Sequence, residues 1–158
     1  MTPLTAGDRA PGFALPAAPG ETVDVGERIG RRPVVLLFFP LAFSSVCTEE
    51  LCAVRDDWSA WEALDADVFG ISADSPFVAR RFREELDLPF PLLSDFNHEV
   101  GAVYGVLYEE YFGLRGVARR AAYVIGEGGA IDYAWVGERD DVLPDFAAIR
   151  EAVARPGG

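Results

Sequence analysis

The chain has 158 residues, half of them hydrophobic, so it can bury a core, and a disordered protein is excluded. Its formal net charge of −12 disfavours nucleic acids and anionic membranes as partners, and a salt-rich cytoplasm that screens this charge is one hypothesis for the composition. Because neither an apolar span nor a secretion signal occurs, we expect one domain over residues 1–158 and a cytoplasmic location.

The first half of the chain predicts a βαβ unit behind an N-terminal β extension. Two short strands joined by a Pro/Gly turn form the extension. A continuous apolar run that ends at Pro40 then predicts a strand buried on both faces, followed by a helix and a parallel strand. The predicted strands cover residues 10–15, 22–25, 34–39 and 66–72, and the predicted helix covers 46–63.

The second half predicts further helices and a β-hairpin. Helices are expected over 75–86, 97–104 and 143–154, and strands over 91–94, 120–125 and 130–136, the last two joined by a turn at 127–129. A βαβ unit followed by a helix, a hairpin and a helix is the layout of an α/β, thioredoxin-like three-layer sandwich.

One of the two cysteines lies where an open α/β sheet places its chemistry. Cys47 follows the central strand and falls in the first turn of the predicted helix, where backbone donors and the helix dipole favour a thiolate. The neighbouring carboxylates of Glu49 and Glu50 oppose this. A reactive thiolate therefore needs a dedicated cation, and the candidates are Arg120, at the start of a predicted strand, and Arg55.

The same cysteine has a second interpretation as a core residue. Five apolar positions recur at spacings of four and three, the pattern of a buried helix face: Cys47, Leu51, Val54, Trp58 and Trp61. Free cysteine is among the most buried residue types, so the pattern alone leaves both interpretations open. Either Ser44 or Ser45 is expected to cap this helix.

Other chemistries have little support in the sequence. A zinc site needs more ligands than Cys47, Cys52 and the lone His98 supply, so we expect no metal. The absence of a phosphate-binding loop disfavours nucleotides, and the absence of C-x-x-C disfavours a disulfide oxidoreductase. Three aromatic residues are expected to line a lip or a dimer contact and not a cofactor site: Tyr108, Tyr111 and Phe112.

Several motifs resemble one known family. The segment from Pro40 through Ser44 to Cys47 is similar to the peroxiredoxin signature of proline, three residues, Thr or Ser, two residues and cysteine. GDRAPGFAL near the N-terminus, FPLLSD, and RAAYVI from Arg120 also resemble family segments. FFPLAF before the cysteine is similar to the bacterioferritin-comigratory (PrxQ-type) and AhpE-like branches. Gly12 stands where the family usually has Asp.

The resemblance implies a peroxiredoxin variant of the fold and a thiol peroxidase without cofactor. Cys47 is implied to attack hydrogen peroxide or an organic hydroperoxide and to become a sulfenic acid. Pro40 is implied to cover the sulfur, Ser44 and Arg120 to hold the peroxide oxygens, and Glu50 to orient Arg120. The implied reductant is a thioredoxin-like dithiol or a small thiol, and a monomer and a homodimer both remain open.

The second cysteine matches the C-x4-C spacing of PrxQ-type enzymes, in which it resolves the sulfenic acid. In an intact helix the Cα atoms of Cys47 and Cys52 lie roughly 8–9 Å apart, whereas a disulfide usually needs less than about 7 Å. A resolving role for Cys52 therefore requires the first helical turns to unwind. The alternatives are a one-cysteine AhpE-like peroxidase that is resolved by an external thiol, and a non-enzymatic redox sensor or holdase.

Overall fold

A mixed five-stranded sheet forms the middle layer of the computed structural model, which describes residues 2–155. The strands are β1 (Ala14–Ala18), β2 (Glu21–Asp24), β3 (Val34–Phe38), β4 (Asp67–Ser72), β5 (Leu92–Ser94), β6 (Ala121–Ile125) and β7 (Ile131–Val136). The central sheet has the order β5-β4-β3-β6-β7, with β3, β4 and β5 parallel and β6 antiparallel to both of its neighbours. Strands β1 and β2 form a separate antiparallel hairpin.

Helices cover one face of this sheet, and the N-terminal hairpin and one short helix cover the other. The helices are α1 (Ser45–Asp56), α2 (Trp58–Glu62), α3 (Pro76–Leu86), α4 (Glu99–Tyr104) and α5 (Phe146–Ala154). Side chains of α1, α2, α3 and α5 share one apolar cluster with the sheet, and α4 shares the second cluster with the hairpin. None of the helices within residues 2–155 is long and apolar enough to cross a membrane.

The strand β3 is buried on both faces, as its unbroken apolar run predicts. All five of its residues are fully buried, and alternate side chains enter opposite clusters. The antiparallel register pairs Phe38, the last residue of β3, with Ala121, the first of β6. The residue before Ala121 is Arg120, so the pairing carries this arginine to the carboxyl end of β3, where α1 begins.

The long helix predicted over 46–63 is wrong, because the structure has two helices there. Helix α1 ends at Asp56, and Asp57 leaves the helical conformation with φ −113° and ψ 26°. Aspartate is a poor helix-interior residue, since its side chain competes for backbone partners. The carboxylate of Asp57 instead pairs with Arg150 of α5 at 3.3 Å, and α2 starts directly after it.

Two other predicted boundaries move by three or four residues. The first predicted strand, 10–15, is observed at Ala14–Ala18, where Pro16 is tolerated because the hairpin has exposed edges. The last predicted helix, 143–154, begins only at Phe146. Pro144 disfavours helical backbone at the residue before it, and the Asp145 side chain caps the helix by accepting the N–H of Ala148 at 3.1 Å.

A substitution at Gly105 tests how the N-terminal segment is held. Gly105 ends α4 at φ +75°, and a Cβ there meets the carbonyl oxygen of Thr2 and, at 2.8 Å, the Cα of Pro3. We expect Gly105→Ala to lower the free energy of unfolding by about 2–4 kcal/mol in urea titrations, because left-handed strain adds to overpacking. The control Gly128→Ala, with nothing within 4 Å of its Cβ, should change it by less than about 0.5 kcal/mol. Equal effects of the two substitutions contradict this packing.

Candidate active site

The loop between β3 and α1 turns sharply and contains two of the predicted site residues. Pro40 is buried directly after the strand, and Phe43 adopts a left-handed conformation with φ +68°. Such a backbone conformation is costly for a non-glycine residue and marks a constrained turn. The turn brings the Ser44 hydroxyl back to the carbonyl of Leu41, to which it donates a hydrogen bond of 3.0 Å.

A carboxylate from the neighbouring strand end holds this loop in place. Oδ2 of Asp74, just after β4, accepts the backbone N–H of Ala42 at 2.7 Å and the hydroxyl of Ser72 at 2.7 Å. Both contacts are partly buried, and hydrogen bonds to a charged acceptor are the stronger kind. The sequence did not indicate this role of Asp74, because nothing in the local pattern shows that its carboxylate contacts a loop 32 residues earlier.

The side-chain cap expected at the start of α1 is absent, which leaves the first backbone N–H groups of the helix without a serine acceptor. Ser44 is the N-cap residue by its backbone angles, but its side chain makes no capping hydrogen bond, since the hydroxyl is directed to Leu41. The first N–H groups of a helix have no partner within the helix. The backbone N–H groups at Val46 and Cys47 therefore receive no hydrogen bond from a serine cap and stay available as donors at the positive end of the helix dipole.

Cys47 and Arg120 are in direct contact in the interior. Cys47 is completely buried and Arg120 is 1% exposed, and Nη2 of the arginine donates to Sγ at 3.3 Å. Nη1 of Arg120 donates to Oε1 of Glu50 at 2.6 Å. The carbonyl of Asp140 accepts from Nε at 3.2 Å and from Nη2 at 2.9 Å. The guanidinium thus binds a sulfur, a carboxylate and a main-chain oxygen at once.

The charge balance at this cluster depends on Glu50 as well as on Arg120. Burial raises the pKa of Glu50 to about 7, although Arg120 acts in the opposite direction. Oε2 of Glu50 has no hydrogen-bond partner within residues 2–155. Burial lowers the pKa of Arg120, but Glu50 and Cys47 outweigh this and raise it. Because an arginine stays charged and a buried carboxyl can take up a proton, the site can hold one net positive charge beside the sulfur.

The structure brings together most of the predicted site residues. Cys47, Glu50 and Arg120 are in contact, and Pro40 and Ser44 lie in the loop that leads into Cys47. Arg55, the alternative cation, instead pairs with Asp56 at 2.9 Å and donates to the carbonyl of Leu86 at 2.7 Å.

Cys52 lies apart from this cluster on the same helix. Both cysteines are free thiols, and α1 is continuous across them. Cys52 is partly exposed, as expected from its place off the apolar face. The Cys52 side chain also contributes to the raised pKa of Arg55, after the larger effect of the hydrogen bond with Asp56.

Residues 107–118 form an aromatic arm that borders the site and contributes a contact that the sequence did not reveal. Tyr108 and Tyr111 stack with ring centroids 5.0 Å apart, and the Tyr111 hydroxyl donates to Oδ2 of Asp140 at 2.8 Å. A groove of about 430 Å³ lies between this arm and the loop containing Asp140. Another cavity, of about 650 Å³, lies away from the predicted site residues and is lined by residues such as Arg32, Asp65 and Asp132.

No group of three or more potential metal-ligating side chains occurs within residues 2–155, so we assign no metal-binding residues. The cluster places the buried sulfur of Cys47 beside the guanidinium of Arg120. A thiolate is stabilised by an adjacent guanidinium and by helix N-terminal donors, which is the environment of a reactive cysteine.

Comparison with known proteins assigns the family. The sequence profile of the AhpC/TSA family matches residues 6–134. The chain belongs to this family, the peroxiredoxins. Peroxiredoxin Bcp of Escherichia coli K12 is 42% identical over 112 residues, 71% of each chain. Among solved structures, peroxidoxin BcpB from Mycobacterium tuberculosis is 29% identical with a TM-score of 0.80, over 96% of this chain and 95% of that one. Mycobacterium tuberculosis AhpC is 27% identical with a TM-score of 0.80, over 96% and 92%.

This peroxiredoxin is therefore an enzyme, a thiol peroxidase with peroxide substrates and thiol reductants. The thioredoxin-like fold expected from the order of elements is confirmed by the sheet and by these structural matches.

The raised pKa of Glu50 predicts how stability depends on pH. Between its ordinary value of 4.5 and about 7, the folded protein holds a proton that the unfolded chain has released. The contribution of Glu50 is therefore fully present below 4.5 and is lost as the pH rises through about 7. We expect the unfolding free energy of the wild type minus that of Glu50→Gln to fall by about 1–3 kcal/mol over this range.

The measurement is urea denaturation of the reduced proteins at half-unit pH steps. Glu49→Gln, an exposed neighbour on α1, is the control for a simple change of net charge. A difference between wild type and Glu50→Gln that stays constant or grows with pH contradicts the burial effect.

Proposed function

We propose that this peroxiredoxin reduces hydrogen peroxide and organic hydroperoxides through Cys47, and that Cys52 resolves the oxidised sulfur as an intramolecular disulfide. The observation that carries the proposal is the contact of 3.3 Å between Nη2 of Arg120 and Sγ of Cys47, inside a buried cluster. It supplies the cation that an ionised sulfur needs in a molecule of net charge −12.

The first step is a displacement at one peroxide oxygen. The Cys47 thiolate attacks that oxygen, a sulfur–oxygen bond forms, and the oxygen–oxygen bond breaks with its electron pair on the departing oxygen. This oxygen takes the proton of the attacked hydroxyl and leaves as water or alcohol, so that Cys47 becomes a sulfenate. Arg120 stabilises the negative charge on the departing oxygen, because its Nη2 group already lies 3.3 Å from the reacting sulfur.

Three neighbouring residues have supporting roles in the proposal. Ser44 uses its hydrogen on the Leu41 carbonyl, which leaves its oxygen lone pairs free to accept the hydroxyl of the peroxide. Pro40, buried and without an N–H, keeps water and further peroxide away from the sulfur. Glu50 holds one arm of the guanidinium at 2.6 Å and so fixes the direction of the other.

The peroxidase step is tested by stopped-flow oxidation with hydrogen peroxide and with an alkyl hydroperoxide. We expect Cys47→Ser to abolish the reaction, because a neutral hydroxyl is not a nucleophile toward peroxide. Arg120→Lys should slow it by about ten- to a hundredfold, since it keeps the charge but loses the planar fork. Cys52→Ser should keep the wild-type rate of this first step. Wild-type rates in Cys47→Ser overturn the proposal.

The resolving step is supported by the position of Cys52 and limited by the geometry of α1. Because α1 is continuous over both cysteines, the two sulfurs meet only after the first turns of the helix unwind. The Cys47 sulfenate takes up a proton from solvent to become the sulfenic acid. The Cys52 thiol then attacks its sulfur, a sulfur–sulfur bond forms, and the sulfenic oxygen leaves as water with the thiol proton. A dithiol or a small thiol reduces this disulfide and completes the cycle.

Intact-mass analysis distinguishes the resolving role from the one-cysteine alternative. After one equivalent of peroxide, the wild type should lose two hydrogens relative to the reduced protein, while Cys52→Ser should gain one oxygen and react with a sulfenic-acid probe. Hydrogen–deuterium exchange should rise within residues 45–52 of the oxidised wild type, because the disulfide requires local unwinding. A wild type that also accumulates sulfenic acid and forms no internal disulfide excludes a resolving Cys52.

A further inference from the structure

Arg120 is held on its outer side by a main-chain carbonyl and not by a side chain. The carbonyl oxygen of Asp140 accepts both Nε and Nη2 of Arg120, at 3.2 Å and 2.9 Å. Nη2 is also the group that contacts the sulfur of Cys47. The direction of this N–H group therefore depends on the conformation of the loop that follows β7, because a backbone oxygen moves only with its chain.

The start of that loop is fixed by two hydrogen bonds to residues beside β6, whereas the backbone bond that spans Asp140, from Val142 N–H to the carbonyl of Arg139, is long at 3.5 Å. The N–H of Gly137 donates to the carbonyl of Arg120 at 2.8 Å, and Arg119 donates to the carbonyl of Gly137 at 2.9 Å. Further along, Arg139 and Asp141 form an ion pair of 3.1 Å with both side chains more than half exposed, and such pairs contribute little. The contact that anchors Asp140 itself is the hydrogen bond of 2.8 Å from the Tyr111 hydroxyl.

Tyr111 belongs to an ordered arm that leads directly into Arg120. The arm covers residues 107–118, with a bridge between Leu107 and Ala118 at its base and one between Tyr111 and Leu114 at its tip. Tyr108 stacks on Tyr111. Burial and the hydrogen bond to Asp140 raise the pKa of Tyr111 to about 12, so its hydroxyl remains a donor at neutral pH. The arm thus precedes Arg120 in the chain and also contacts, through Tyr111, the loop whose carbonyl binds Arg120.

We propose that Tyr111 is a positioning residue for the peroxide reaction: its hydroxyl fixes Asp140, and the Asp140 carbonyl directs the Arg120 guanidinium at the Cys47 sulfur. The inference rests on the proposed role of Arg120. A single hydrogen bond of this kind corresponds to about a three- to tenfold change in rate, because it acts on the guanidinium through one intermediate group.

The test compares two tyrosines of the same arm. Tyr111→Phe removes only the hydroxyl that binds Asp140, whereas Tyr108→Phe removes a hydroxyl without a hydrogen-bond partner within residues 2–155. In stopped-flow oxidation by hydrogen peroxide, we expect Tyr111→Phe to be about three- to tenfold slower and Tyr108→Phe to stay within twofold of the wild type. Equal rates of Tyr111→Phe and wild type, or equal losses in both variants, overturn the inference.

A second readout separates positioning from a general structural defect. Iodoacetamide needs only the thiolate, whereas peroxide also needs the directed guanidinium, so the peroxide rate of Tyr111→Phe should fall several times more than its alkylation rate. Asp140→Ala breaks the same side-chain contact and leaves the carbonyl, so its combination with Tyr111→Phe should be no slower than either variant alone. Parallel losses in both reactions, or additive effects, contradict the positioning role.

Arg120→Lys distinguishes failure of this inference from failure of the proposed function. If Arg120→Lys is slow and Tyr111→Phe is at the wild-type rate, only the role of Tyr111 is wrong. If Arg120→Lys itself reacts at the wild-type rate, the proposed role of the guanidinium is wrong. In the Arg120→Lys background, Tyr111→Phe should change the peroxide rate by less than twofold, because the fork that the Asp140 carbonyl directs is no longer present.

Discussion

A buried guanidinium is the constraint on which the rest of this structure depends. Arg120 is 1% exposed and stays charged, and a buried charge is costly unless it is paired and fully hydrogen-bonded. The sulfur of Cys47, the carboxylate of Glu50 and the carbonyl of Asp140 meet that requirement together. Removing any of these partners leaves the cation less well satisfied, so Arg120 also ties the Asp140 loop and α1 to the sheet.

The protein surrounds this local positive charge with a strongly acidic surface. The net charge of −12 opposes the ionised sulfur that the proposed mechanism requires, and the contact with Arg120 places a positive charge directly beside Cys47. Glu50 accepts a hydrogen bond from the same guanidinium, and its pKa, raised to about 7 by burial, allows its carboxylate to take up a proton near neutrality. The protonation of Glu50 is therefore coupled to its contact with Arg120.

Helix α1 contains both cysteines of the proposed disulfide and the carboxylate that contacts Arg120. Glu50 lies between Cys47 and Cys52 on α1, so unwinding that joins the two cysteines in the proposed cycle also separates Glu50 from Arg120. The reduced form keeps the guanidinium paired, and the disulfide form must release it. Asp74 holds the loop before α1, and the carbonyl of Asp140 holds the guanidinium, so neither of these contacts depends on α1.

The sequence by itself predicted the strand before Pro40, a helix that contains Cys47 and the strand that follows Arg120. These elements were recognisable because burial follows local periodicity. Only the tertiary structure showed the direct contact between Arg120 and the sulfur, the break of the long helix at Asp57, and the hydrogen bond of Tyr111 to Asp140. The pairing of Phe38 with Ala121, the ion pair of Asp57 with Arg150, and the bond of Tyr111 to Asp140 each join residues far apart in the chain. Such contacts leave no local pattern, because each depends on strand register and loop closure.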